Sequence, residues 1–303
     1  MSQSQLIIPC LWFDNNAEEA VALYTSLFAD SHIGRILRYG EEGQETTGKE
    51  PGSVMTVDFD LGGYKITALN GGPQFKITPA ISFFVTCASE AEIDKVWAGL
   101  TEGGFALMPL NKYPWSEKFG WVQDRFGVNW QLMLGKFANP AQQIAPCLMY
   151  VGTQAGKAEE AINLYTQTLP DSKVHFMDRY RAGEGDTEGT IKHAQFELAN
   201  QMFVAMDSGM GHAFSFNEGF SLQIMCANQA EIDAYWEKLT TDGGEAGPCG
   251  WLKDKFGVSW QVTPTVLYEM LHDSDMVKSQ RAIKAMFQMS KFDIAKLQQA
   301  YEG

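Results

Sequence analysis

At 303 residues the chain has room for two ordinary domains, each with its own core. Its 45% hydrophobic and 20% charged content is that of a globular protein, not a disordered or fibrous one. With 37 acidic against 23 basic residues, a formal net charge of −14 and no Lys/Arg cluster, it lacks the basic face of a nucleic-acid binder.

The opening MSQSQLIIPCLWF has neither the basic region nor the small-residue cleavage site of a secretory leader. No apolar run approaches the roughly 20 residues of a membrane helix. The expected compartment is the cytoplasm, with no membrane partner. After PCLWF, Asn15 and Asn16 read as caps of a helix that carries Ala17, Ala20, Val21, Tyr24, Leu27 and Phe28 at helical spacing. VMTVDFDLGGYKITAL and ISFFVTC read as strands. Ser89 and Glu92 then form a capping box before a stripe of Ile93, Val96, Trp97 and Leu100. LMPLNKYPWSEKF reads as a loop rich in Pro, Tyr and Trp. DRFGVNWQL is a turn entering a last strand, whose alternation puts Val128, Trp130 and Leu132 on one face and Asn129, Gln131 and Met133 on the other. GKFANPAQQ, 135–143, reads as a linker.

The chain then repeats itself in the same order. PCLWF is answered by PCLMY at Pro146, and AEIDKVWAGLT by AEIDAYWEKLT with 7 of 11 positions identical. GWVQDRFGVNWQL is answered by GWLKDKFGVSWQV with 8 of 13 identical. Asn228, Glu231, Ile232, Tyr235, Trp236 and Leu239 repeat the second helix. Each half reads as strand, helix, three strands, then the same again. Cys10 and Cys147, like Cys87 and Cys226, occupy matching positions as small buried hydrophobes. Cys249 has no counterpart. An odd total of five cysteines without CxxC argues against a disulfide framework or zinc cluster. Beyond Pro264 a helical tail follows. One stripe is Ile283, Met286 and Phe287, and another is Ile294, Leu297 and Tyr301, opened by Ser290 and Asp293 as a capping box. The tail is expected to dock on the second half, with a homodimer contact as the alternative.

This ordering, with PCLWF…AEEAVALY, DRFGVNW, IKHAQFEL…MDSG and the helical tail, resembles the vicinal oxygen chelate superfamily of glyoxalases, bleomycin-resistance proteins and extradiol dioxygenases. More closely it is similar to the PhnB-like branch, often labelled 3-demethylubiquinone 3-methyltransferase-like. The resemblance implies an α+β fold of two tandem glyoxalase-like domains, 1–138 and 143–263, each of paired βαβββ units forming a cup, with a helical extension at 264–303. It also implies ligand binding on the concave side of the sheets. Metal-dependent members place a His or Gln on the first strand and a Glu on the last. Here those places read as Pro9 or Pro146 and Gln131 or Gln261, with Ala80 or Gly219 at the start of the second unit. No metal and no cofactor are expected. The methyltransferase label lacks the glycine-rich strand-to-helix turn that seats a nucleoside cofactor.

Function is therefore expected to be the binding of a small molecule in one or both cups. Gln131, Gln261, Trp121, Trp251, Thr56, Asp58 and Gln195 are the candidate ligand contacts. The alternative is an enzyme using His193 as acid–base and Asp207 beside it. The first half carries Thr56 and Asn70 at those places, so such chemistry would belong to the second half. Trp130 and Trp260 are expected beneath the helices.

Overall fold

The structure, a computed structural model, describes residues 5–41, 44 and 48–303. The start read for a leader lies partly outside them, at residues 1–4. Four βαβββ modules follow one another. The first is β1 (Ile7–Phe13), α1 (Ala17–Leu27), β2 (His32–Arg38), β3 (Val54–Leu61) and β4 (Tyr64–Asn70). The second is β5 (Ile81–Cys87), α2 (Glu90–Thr101), β6 (Phe105–Tyr113), β7 (Ser116–Gln123) and β8 (Asn129–Leu134). The third is β9 (Ile144–Val151), α3 (Ala158–Thr168), β10 (Lys173–Arg179), β11 (Ile191–Leu198) and β12 (Gln201–Ser208). The fourth is β13 (Phe220–Cys226), α4 (Gln229–Thr240), β14 (Glu245–Ala246), β15 (Trp251–Lys253) and β16 (Ser259–Pro264). The tail forms α5 (Thr265–Leu271), α6 (Met276–Phe287) and α7 (Ile294–Glu302).

The α+β class, the βαβββ units and the helical extension are as the sequence predicts. The partners are not. One eight-stranded sheet runs β14-β15-β16-β13-β1-β4-β3-β2 and the other β10-β11-β12-β9-β5-β8-β7-β6. Each cup thus joins one module from each half: the first and fourth make a terminal cup, the second and third a central one. The seams are antiparallel, β1 on β13 through Cys10↔Ser221 and β5 on β9 through Ser82↔Cys147. The expectation that each half closes its own cup is corrected for a physical reason. Modules one and three are repeats, so the local hydrophobic pattern suits either partner equally.

The convex faces share one core with the helices between the sheets. The motif D-x-F-G-V-x-W ties it together. Asp124 accepts hydrogen bonds from the Tyr24 hydroxyl on α1 (2.7 Å), Trp130 Nε1 (2.9 Å) and the amides of Phe126 and Val128. Asp254 repeats this with Tyr165 (2.6 Å), Trp260 (2.9 Å), Phe256 and Val258. The buried carboxylate thus satisfies the turn and pins the preceding module's helix to the following module's last strand. Trp130 and Trp260 lie fully buried on this helix side. The seam strands β5 and β9 are buried along their whole length, as strands covered on both faces should be. Edge strands β2 and β10 are mostly exposed and carry Arg35, Arg38, Lys173 and Arg179, charges that discourage edge pairing.

Two capping expectations change. Asn16 makes no side-chain cap; instead Asn70 Oδ1 receives the Ala17 amide at 2.9 Å. Ser290 is turned to the carbonyl of Gly247, leaving Asp293 alone to cap α7. The boxes at Ser89–Glu92 and Asn228–Glu231 form as read. LMPLNKYPWSEKF is not a loop but the β6–β7 hairpin. Tyr113 and Trp115 stack at 5.0 Å on it, and its Phe119 turns into the central cup.

Candidate functional site

Both cups share a polar centre built by strand alternation. In the terminal cup Gln261 donates from Nε2 to Ser221 Oγ at 3.0 Å beside Cys10. In the central cup Gln131 donates to Ser82 Oγ at 2.9 Å and approaches Cys147 Sγ at 3.5 Å. The glutamines face inward, as read. The positions Pro9, Pro146, Ala80 and Gly219 are corrected: the cup-facing atoms come from Cys10, Cys147, Ser82 and Ser221, one or two residues along. Burial pushes the Cys10 thiol up to about 11 and the Cys147 thiol to about 12, so both are neutral hydrogen-bonding groups.

Around these centres the cups diverge. The central cup is packed by Phe84, Phe119, Phe137, Met202 and Val204, with Trp121, Met133 and Met206 against them. Phe137 comes from the segment read as a linker, which is stitched down by the Ala138 amide to Gln195 Oε1 (2.9 Å) and Asn139 to Glu197 (3.2 Å). The terminal cup holds a cavity of about 590 Å³. The repeat explains the difference residue by residue. Where the central cup has Phe84, Met133, Val204, His193 and Phe137, the terminal cup has Gln223, Thr263, Thr67, Thr56 and Leu267, nearly all of them smaller or less apolar. The space left is in the range of small-ligand sites.

Trp12, Phe75 and Trp251 wall one side of the cavity, with ring centroids 4.9 Å (Trp12–Phe75) and 6.0 Å (Trp12–Trp251) apart. The tail roofs another, through Leu267, Leu271, Met286, Phe287 and Phe292. It is fastened at both ends. Near its start the Tyr268 hydroxyl is hydrogen-bonded to Asp58, which also accepts from Thr67 at 2.9 Å. Further on, the amides of Cys249 and Gly250 donate to the carbonyls of Met289 and Ser290, both at 2.7 Å, and Gln229 bonds Phe292 and Ile294. The tail therefore docks on the fourth module and over the cup built partly from the first.

The sequence-read site residues separate accordingly. Thr56, Trp251 and Gln261 line the terminal cavity, and Asp58 holds its roof. Trp121, Gln131, Gln195 and His193 belong to the filled central cup. His193 sits with ring centroids 5.7 Å from both Phe84 and Phe176. Burial, partly opposed by Asp178, pushes its pKa down to about 4. Asp207 is not beside it. Ala194 pairs with Ala205, so His193 stands opposite Met206 on the cup side while Asp207 faces the helices. There the Asp207 carboxylate accepts the amides of Gly156 (2.8 Å), Ala158 (3.1 Å) and Ile191 (2.8 Å). The His193–Asp207 pair is thus corrected: the two lie on opposite faces of the sheet, and Asp207 caps α3 as Asn70 caps α1. Cys10, Ser221, Gln223 and the tail were missed. Comparing the two halves at cup-facing positions would have found the cavity.

The model of the 3-demethylubiquinone-9 3-methyltransferase family matches residues 5–133 and again 142–263. The chain belongs to this family. The PhnB protein from Bacillus cereus is 43% identical, over 43% of this chain and 100% of its own, with a TM-score of 0.40. Two glyoxalase I mutants from Zea mays cover 88% and 84% of this chain, and 97% and 92% of their own. They are 12% and 10% identical, with TM-scores of 0.52 and 0.51. That likeness is one of fold: a tandem, PhnB-like chain with the vicinal oxygen chelate architecture. No curated protein matches the chain. The divalent metal that some members hold at the cup centre would meet Gln, Ser and protonated Cys here. Among the described residues no three His, Cys, Asp or Glu side chains converge. These residues do not fit a dication, which favours carboxylate, imidazole or thiolate. Among the described residues no helix is long and apolar enough to cross a membrane.

Proposed function

We propose that this chain binds one small, largely apolar molecule in its terminal cup. The observation that carries this reading is the asymmetry of the cups. Two copies of one scaffold share a Cys–Ser–Gln centre, yet one is packed with aromatics and the other keeps a cavity of about 590 Å³ walled by Trp12, Phe75 and Trp251. A half-open cavity with apolar walls leaves that surface in water, at a cost of roughly 25 cal/mol per Å². An occupant offsets that cost. The proposed setting is the cytoplasm, in keeping with five free cysteines. Both sheets close within one chain, so a second copy is not needed to complete either cup.

The enzyme alternative finds little support. His193 and Asp207 cannot exchange a proton across the sheet, and neither touches the cavity. The methyl transfer in the family's description fares similarly. A nucleoside-bearing methyl donor needs free backbone amides or a cation for its carboxylate. Here Asn70, Ser89 and Asn228 each take one leading amide of α1, α2 and α4, and Asp207 takes the amides of Gly156 and Ala158 at the start of α3. Lys253, the one lysine among the described lining residues, is paired with Glu218 at 2.9 Å. Among the described lining residues no unpaired cation awaits such a cofactor.

Copying the central cup into the terminal one tests the reading. Gln223→Phe with Thr263→Met removes a hydrogen-bonded pair together (3.2 Å), which is nearly neutral for stability, and restores the side chains that fill the repeat. Thermal-shift screening against neutral aromatic compounds should raise the melting temperature of the wild type and not of the double variant. Met286→Trp, which fills the same space from the tail, should behave like it. Equal shifts in all three proteins would overturn the proposal.

A further inference from the structure

Along the cup-facing row of β16 the polar groups are satisfied except one. Gln261 bonds Ser221, and Thr263 accepts from Gln223. Ser259, between Ser221 on β13 and Lys253 on β15, lines the cavity at 1% exposure, and its hydroxyl has no hydrogen-bond partner. A buried hydroxyl left in this state is unfavourable unless something else supplies the missing bond. The matching Asn129 in the filled cup turns its Nδ2 back to the Gly127 carbonyl at 3.1 Å, while its own Oδ1 is likewise buried without a partner.

The charge of the lining adds a second constraint. Among the described residues its charged members are Glu218, Glu245 and Lys253, and the lysine is neutralised by Glu218. Glu245 is left exposed at the rim. A ligand anion would therefore meet a carboxylate and no unpaired cation. The aromatic wall favours a flat ring system.

Building on the ligand-binding reading of the terminal cup, we propose that the ligand is an uncharged ring-bearing molecule whose polar end is anchored by the Ser259 hydroxyl, and that the site rejects anions. Phenylnaphthylamine and its sulfonate, anilinonaphthalene sulfonate, are matched probes: the same rings, without and with a negative charge. Fluorescence titration of the whole chain should show the amine binding saturably and the sulfonate at least about tenfold more weakly. Ser259→Ala should weaken the amine about 3- to 10-fold, the loss expected for one hydrogen bond. The same substitution should leave the melting temperature unchanged or higher, because it removes an unpartnered group; a purely structural serine would lower it. Equal affinity for the two probes at the site closed by Gln223→Phe/Thr263→Met, or an amine affinity indifferent to Ser259→Ala, would overturn this proposal and leave the cavity reading standing. Absence of saturable binding by either probe, or binding that survives the double variant, would overturn both.

Discussion

His193 illustrates how one register decides a residue's role. Alternation along β11 places it on the cup side, but its position relative to Asp207 depends on the pairing Ala194↔Ala205, which no local pattern specifies. Trp130, Trp260, Gln131 and Gln261 were legible because their facing follows from alternation within a single strand. Burial among Phe84, Phe176 and Gln195 holds His193 neutral, with its pKa down at about 4 against 6.5. The sign of the consequence is fixed. Between those values the unfolded chain takes up a proton that the folded chain refuses, so stability is complete above pH 6.5 and is lost as pH falls toward 4. Urea unfolding at pH 7.5 and 4.5 should show the wild type losing about 2–3 kcal/mol more than His193→Gln. The buried carboxylates of Asp124, Asp207 and Asp254, raised by burial, act in the opposite sense and are common to both proteins. Equal acid losses would show that His193 is not held neutral by its surroundings.

Two connecting elements turn out to be walls. The segment 135–143 carries the pattern-breaking composition of a linker, and the tail reads as an ordinary amphipathic extension, so neither announces which surface it covers. Only aromatics within them, such as Phe137 and Phe292, hint at a seat. The tail's seat depends on Gly250, which sits at φ +79°, where an added Cβ would lie 2.4 Å from the Phe292 ring. Gly250→Ala should therefore both strain the backbone, at a cost of about 1 kcal/mol or more, and push the 289–294 staple off Cys249 and Gly250. Limited trypsin digestion should then cut within α6, at Lys278, Arg281 or Lys284, faster than in the wild type. An unchanged cleavage rate and melting temperature would show that the staple does not hold the roof.

At the scale of the molecule, the repeat was legible and its assembly was not: identical modules do not say which copy they pair with. The sheets show each half supplying strands to both cups, through the β1–β13 and β5–β9 seams. A fragment 1–138 would expose two buried seam strands as edges and should not persist as a folded monomer. Co-expressed with 139–303 it should form a one-to-one complex; an independently folded, monomeric 1–138 would contradict the shared-sheet architecture. Within that architecture the central claim is that one cup binds and its twin is filled. Native mass spectrometry with saturating phenylnaphthylamine tests this most directly. The account predicts one probe per chain in the wild type, one in His193→Gln, and none in Gln223→Phe/Thr263→Met. Two probes per chain, or a single probe that survives the double variant and disappears with His193→Gln, would contradict it.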